Sequence, residues 1–235
     1  MTKTFWIIIG VVVAALIGVF AFTSGNNGSS SNLTPTNHIE GQGKDGVTLV
    51  EYGDYQCPYC GEYYSTVKQV VANYYSQITF QFRNFPLTSL HPNAYAGARA
   101  AEAAGLMGKF WQMHDLLYQQ NQEYYSSNGA VATWIGASNP EPVFVQDAKT
   151  LGLNTQKFKQ LYTSNQVNNL VQADENAGNT LGINATPTFI LDGKQVQVAN
   201  NVTAFDQLIN SAISKKAGKT SSAATSAGTT QQTKK

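Results

Sequence analysis

A chain of 235 residues with 42% hydrophobic and 12% charged residues and a formal charge of +1 can build one packed domain; it lacks the charge excess of nucleic-acid-binding or intrinsically disordered chains. Its two cysteines exclude a scaffold stapled by several disulfides, so a core drawn from 11 Phe, 12 Tyr and the aliphatic residues must hold the fold.

Phe5 to Phe22 is an uncharged apolar run of 18 residues. At about 1.5 Å per residue it reaches roughly 27 Å, close to a bilayer core of about 30 Å. It reads as a membrane anchor, being longer than the apolar region of about 7 to 15 residues found in a cleaved signal; cleavage after Ala21 is the alternative. Lys3 on the short side predicts a cytoplasmic N-terminus and an exported domain. Thr23 to Asn37, rich in Gly, Ser and Asn, reads as a flexible linker, and Lys215 to Lys235 as a disordered tail. The folded part is then about His38 to Ser214.

Within it, Val47 to Tyr52 alternates as a strand, with Val47, Leu49 and Glu51 on one face and Thr48, Val50 and Tyr52 on the other. Cys60, Tyr64, Val67, Val71 and Tyr74 form one helical stripe, and Pro58 fits only the first turn of that helix, which puts Cys57 at its N-terminus. Ile78, Phe80 and Phe82 mark a second strand. From His91 to Leu181 the pattern predicts about five helices, punctuated by Gly129, Asn139 to Pro142 and Gly152. Thr188 to Leu191, the turn Asp192-Gly193 and Val196 to Val198 read as a hairpin. A last helix, started by Thr203, carries Phe205, Leu208, Ile209 and Ile213 on its apolar side. A strand-helix-strand half, a helical stretch, then a hairpin and a helix describe one interrupted sheet.

Both cysteines lie in one C-x-x-C, Cys57-Pro58-Tyr59-Cys60. At i and i+3 on a helix the two thiols share a face, which suits reversible disulfide exchange. A closed zinc site wants four ligands, and His38, His91 and His114 lack the usual His spacing, so no metal is expected. His91 before Pro92 reads as a helix-start residue, and His114 beside Trp111 as a packed, hydrogen-bonded histidine. Glu51 shares a face with apolar residues, so its carboxyl should titrate high; the alternatives are a proton relay and a carboxylate that only satisfies a strand edge.

Val47-Thr-Leu-Val-Glu-Tyr-Gly-Asp-Tyr-Gln-Cys-Pro-Tyr-Cys60, Arg83-Asn-Phe-Pro86, His91-Pro-Asn-Ala94, Phe110-Trp-Gln-Met-His-Asp-Leu-Leu117 and Gly182-Ile-Asn-Ala-Thr-Pro-Thr-Phe-Ile-Leu191 together resemble the DsbA-like thiol-disulfide oxidoreductases. The resemblance implies an α/β thioredoxin-like fold, a mixed sheet flanked by helices, from residues 38–87 and 182–214, with an inserted helical subdomain over 88–181. It implies Cys57 as attacking thiol, Cys60 as resolving thiol, a cis-proline at Pro187 facing them, Thr186 as a main-chain contact for substrate, Glu51 as the buried acid, and Pro58 and Tyr59 as residues that tune the pair. The redox-active disulfide is itself the redox group, with no separate cofactor. Expected partners are exported client proteins with free thiols and a quinone-linked membrane redox partner, with no nucleic acid. Strongly oxidising members carry Pro-His between the cysteines where this chain has Pro58-Tyr59. Disulfide donation to clients is therefore weighed against isomerase or reductase chemistry, and against a tethered holdase or binding module whose cysteine pair is structural.

Overall fold

The computed structural model describes residues 33–228, and side chains to residue 218. The apolar run Phe5–Phe22 and most of the expected linker lie outside the described residues. Among the described residues no helix is long and apolar enough to cross a membrane.

The chain forms β1 (His38–Glu40), β2 (Val47–Gly53), α1 (Pro58–Asn73), β3 (Ile78–Asn84), α2 (Ala94–Gly105), α3 (Phe110–Ser126), a 3-10 turn (Trp134–Gly136), α4 (Glu141–Thr150), α5 (Thr155–Tyr162), α6 (Asn165–Thr180), β4 (Thr188–Leu191), β5 (Lys194–Val196) and α7 (Val202–Gly228). The sheet order is β1-β3-β2-β4-β5, with β2 and β3 parallel and every other pairing antiparallel. This is the expected mixed sheet with a helical insertion, α2 to α6.

The alternation of β2 sets its two faces. Val47, Leu49 and Glu51 lie on the side of the main core, beside Phe80, Phe82 and Phe189 on the neighbouring strands. Tyr52 and Val50 face a smaller cluster with Phe85, Ile183 and Ile190. Glu51 therefore sits laterally between Phe82 and Phe189, its direct partners in register. Asp192 and Gly193 both take positive φ, 47° and 78°, the conformation a two-residue type I′ hairpin demands, and that turn joins β4 to β5.

The sequence-based boundaries shift at both ends, for polar reasons. Thr36, assigned to the linker, is buried, and its N–H and hydroxyl both donate to the Asp174 carboxylate, at 2.8 and 2.7 Å. Asn84 N–H also donates to Asp174, so a carboxylate buried under the sheet finds its donors by pinning the incoming chain. The last helix is capped by Asn201, whose Oδ1 accepts the Ala204 N–H at 2.9 Å, rather than started by Thr203. Of the expected tail from Lys215 to Lys235, residues to Gly228 continue helix α7, across a stretch in which Ala and Lys favour helix, and the rest lies outside the described residues.

Helices α1 and α3 approach closely because Gly61 has no side chain. A Cβ there would lie 1.9 Å from Asn121 Oδ1. We expect Gly61→Ala to destabilise the fold by about 1–3 kcal/mol, read as a lowered urea midpoint; an unchanged midpoint would mean that the helices can separate freely.

Candidate active site

Strand β2 delivers the chain to a loop, Asp54 to Cys57, that leaves the sheet and begins α1. Cys57 is the N-cap residue of α1 and Pro58 occupies the first turn, where its missing N–H leaves no bond unmade. Asp54 Oδ1 accepts the Gln56 N–H, and the Asp54 carbonyl accepts the Cys57 N–H, at 2.8 and 3.1 Å. The loop is buried, and the insert supplies the rest of its partners. Asn121 Nδ2 donates to the carbonyls of Tyr55 and Cys57, and the Tyr125 hydroxyl to that of Gln56. Gln56 Oε1 accepts the Asn93 N–H, while Asn93 Nδ2 reaches the carbonyls of Trp134, Ile135 and Ala137.

Both cysteines are thiols in this structure. Cys57 is buried, 3% exposed, and its Sγ is 3.5 Å from the Thr186 carbonyl, beside the cis Thr186–Pro187 bond. Its thiol is lowered from 9.0 to about 6, chiefly by the hydrogen bond from the Cys60 thiol and against its own burial, with the Cys60 N–H and Thr186 adding to the effect. The N-terminus of α1 favours an anion at the same place. Cys60, one turn in and fully enclosed, moves the other way: burial first, then Cys57, push its thiol well above the usual range.

Glu51, only 3% exposed, is raised from 4.5 to about 8 by burial, with the charge of Cys57 adding to it. It lines a small cavity of about 10 Å³ together with Tyr118, His114, Lys68 and Asp115. That space is close to the minimum for one water. His114 is the packed histidine the sequence suggests: its Nδ1 lies 3.0 Å from the Tyr55 hydroxyl, its ring stands edge-on to Phe82, and burial lowers it well below its usual range.

His91 departs from its assigned role. The helix-start reading is corrected, because α2 begins at Ala94 and the His91 ring turns to the redox loop, with Nδ1 2.7 Å from Asp54 Oδ2. The hydrogen bond to Asp54 raises its imidazole above 6.5 against its burial, and the charges of Asp54 and Cys57 add to the rise. Sequence reasoning missed Asp54, His91, Asn93, Asn121 and Tyr125 as parts of the site. The signal for them was an acid three residues before Cys57 and an Asn-bearing turn ahead of α2.

Beside Pro187 runs a groove of about 190 Å³ lined by Tyr59, Tyr63, Thr186, Phe189, Gln197 and Val198 among others. Tyr59, between the cysteines, is 63% exposed and forms one wall. The site thus brings together Cys57, Cys60, Pro58, Tyr59, Thr186, Pro187 and, behind them, Glu51. Among the described residues no group of three or more His, Cys, Asp or Glu could hold a metal ion.

The thioredoxin family profile matches residues 33–211. Among solved structures, a thioredoxin-like oxidoreductase from Silicibacter pomeroyi superimposes with a TM-score of 0.61 at 24% identity, covering 78% of this chain and 97% of that one. Oxidised BdbD from Bacillus subtilis gives 0.61 at 21% identity, covering 78% and 95%. Wolbachia pipientis α-DsbA1 gives 0.63 at 17% identity, covering 81% and 99%. Among curated proteins, a Na(+)/H(+) antiporter NhaA 1 of Salinispora arenicola is 30% identical over 175 residues, 74% of this chain and 24% of its own length. One of Mycolicibacterium gilvum is 33% identical over 159 residues, 67% and 24%. The chain spans about a quarter of the length of these curated relatives, and ion exchange is said of those longer proteins.

An acid that titrates near 8 when folded and near 4.5 when unfolded binds its proton more tightly in the folded state. Its contribution to stability therefore falls as pH rises from about 4.5 to 8. We expect Glu51→Gln to gain stability relative to the unmodified protein, by up to a few kcal/mol, between about pH 5 and pH 8. Urea denaturation at both pH values measures the difference; a constant gap would mean that Glu51 is not held protonated.

Proposed function

The chain belongs to the thioredoxin family, and from that premise we propose that it is a DsbA-like protein thiol-disulfide oxidoreductase that gives its Cys57–Cys60 disulfide to client proteins. The observation that carries this reading is the opposed pair of thiols: Cys57 lowered to about 6 at a helix N-terminus, and Cys60 raised and enclosed one turn behind it. A stabilised Cys57 thiolate favours the reduced protein and so makes the disulfide a better oxidant.

In the forward reaction a client thiolate attacks Cys57 Sγ. The new client–Cys57 bond forms as the Cys57–Cys60 bond breaks, and its electron pair goes to Cys60, which needs a proton because its thiolate is disfavoured by burial. Glu51, held protonated at neutral pH by its burial, is the neighbouring acid that can supply that proton before regaining one from solvent; once ionised, its charge disfavours a Cys60 thiolate further. The client's second thiolate then attacks the mixed disulfide. It forms the client disulfide and releases Cys57 as a thiolate. Two electrons pass from client to enzyme, both client thiols have lost their protons, and one proton has been taken up at Cys60.

The groove beside Pro187 supports an extended client segment, with main chain at Thr186 and the Tyr59 ring as an apolar wall. The anchor and extracytoplasmic placement rest on Phe5–Phe22 and Lys3. Regeneration calls for an external oxidant, and a quinone-linked membrane protein is the chemical class that fits a tethered dithiol.

The Cys57 value of about 6 lies between those of about 7 for thioredoxin and 3.5 for DsbA. Glutathione equilibration should accordingly give a reduction potential between about −270 and −120 mV. A value at or below the lower limit would replace donation with reduction. Cys60→Ala is expected to accumulate client mixed disulfides on Cys57, seen as adducts that collapse on reduction; a folded variant with no adducts would leave only a binding module.

A further inference from the structure

Two ionisable groups next to the reactive thiol have no place in the exchange just described. Asp54 is fully enclosed and accepts three N–H groups: Gln56 N–H on Oδ1, and Leu87 N–H and His91 Nδ1 on Oδ2, at 2.8, 3.0 and 2.7 Å. Its main-chain carbonyl holds the Cys57 N–H. A carboxylate so close to the attacking sulfur works against a thiolate there, and the Asp54 charge does oppose the lowering of Cys57. The side chain that meets this carboxylate at the surface is His91, carried on the loop ahead of α2, 16% exposed and within electrostatic range of Cys57. The dipeptide between the cysteines, Pro58-Tyr59, brings no cation of its own.

We propose that His91 is a positioning residue for the redox reaction: as an imidazolium it cancels the charge of Asp54 and faces the Cys57 thiolate, so that the oxidising strength of the pair follows the protonation of a histidine outside the C-x-x-C. This rests on the oxidoreductase reading above. Among the described residues, the other ionisable groups that interact with Cys57 are Cys60 on α1, Glu51 on β2 and Tyr125 on α3, all three acids, and the charges of Asp54 and Cys57 act on His91. None of the three acids can replace the imidazolium. Below the His91 midpoint Asp54 is neutralised and the thiolate is favoured. As pH rises through that midpoint the cancellation is lost, the reduced form is less stabilised, and the disulfide becomes a weaker oxidant. Coupling between two sites is reciprocal, so the Cys57 thiolate must in turn hold the proton on His91.

The experiment compares His91 in the two redox states of the unaltered protein, by titrating its ring resonances with NMR. The expected result is a higher His91 midpoint in the reduced protein, where the thiolate is present, than in the disulfide form. His91→Gln keeps a donor for Asp54 and removes the charge. Ultraviolet thiolate absorbance should show Cys57 in this variant binding its proton about tenfold more tightly. Coincident His91 midpoints in the two redox states overturn the proposal, as does an unmoved Cys57 midpoint in a folded His91→Gln. If disulfide exchange with a client persists in that case, the activity stands and only the role of His91 falls; absence of exchange in the unaltered protein is the separate failure of the activity reading.

Discussion

The site depends on how four residues, Asp54 to Cys57, are kept in place while buried and belonging to no regular element. A buried backbone group without a partner costs about 1–3 kcal/mol, and this loop has several to satisfy within a few ångströms. The sheet cannot do it, because β2 ends at Gly53. The donors come from the helical insert, through Asn121 and Tyr125 on α3, and the acceptor for the Asn93 N–H is the loop's own Gln56. The insert is thus a structural requirement of the redox loop as much as a cover for it. Removing it would take the Asn121 and Tyr125 donors from the carbonyls of Tyr55 and Gln56 and leave that of Cys57 with the Gly61 N–H alone.

A burial gradient across one helical turn then separates the two sulfurs. Cys57 has a helix N-terminus, the Cys60 thiol and Thr186 about it, and Cys60 has the apolar floor formed by β2, β3 and α1. The same chemical group therefore titrates in opposite directions at two places three residues apart. Glu51 belongs to the same gradient. Its neighbours in register are Phe82 and Phe189, and the carboxyl retains its proton because burial disfavours its charge, with the charge of Cys57 adding to the effect. In the proposed reaction, attack at Cys57 and proton supply from Glu51 draw on this difference in surroundings, with identical residues at the two sulfurs.

Most of the frame was legible because it is local. Alternation in β2, the stripe on α1, Pro58 in the first turn and the Asp192-Gly193 turn are all read within a few residues, and each appears where its period places it. The misses share one physical character: they are polar contacts across long stretches of chain. Thr36 and Asp174 are 138 residues apart and His91 and Asp54 are 37 apart, and nothing periodic announces either pair. The tail is a different case. Its low apolar content carries no core-forming pattern, whereas α7 to Gly228 needs only to continue outward from Phe205 and Ile209, which are already packed.

The contact between Gly61 and Asn121 has a further consequence, for how such a chain can change by descent. Asn121 occupies the space a side chain at position 61 would need, and the same amide holds the carbonyl of Cys57. A new side chain at 61 displaces the amide, and loss of the amide strips a partner from the nucleophile's own backbone. The two positions, on different subdomains, are therefore physically coupled. A single exchange at either one leaves the Cys57 carbonyl with the Gly61 N–H as its remaining partner, so a compensating pair of changes is the route that keeps both bonds.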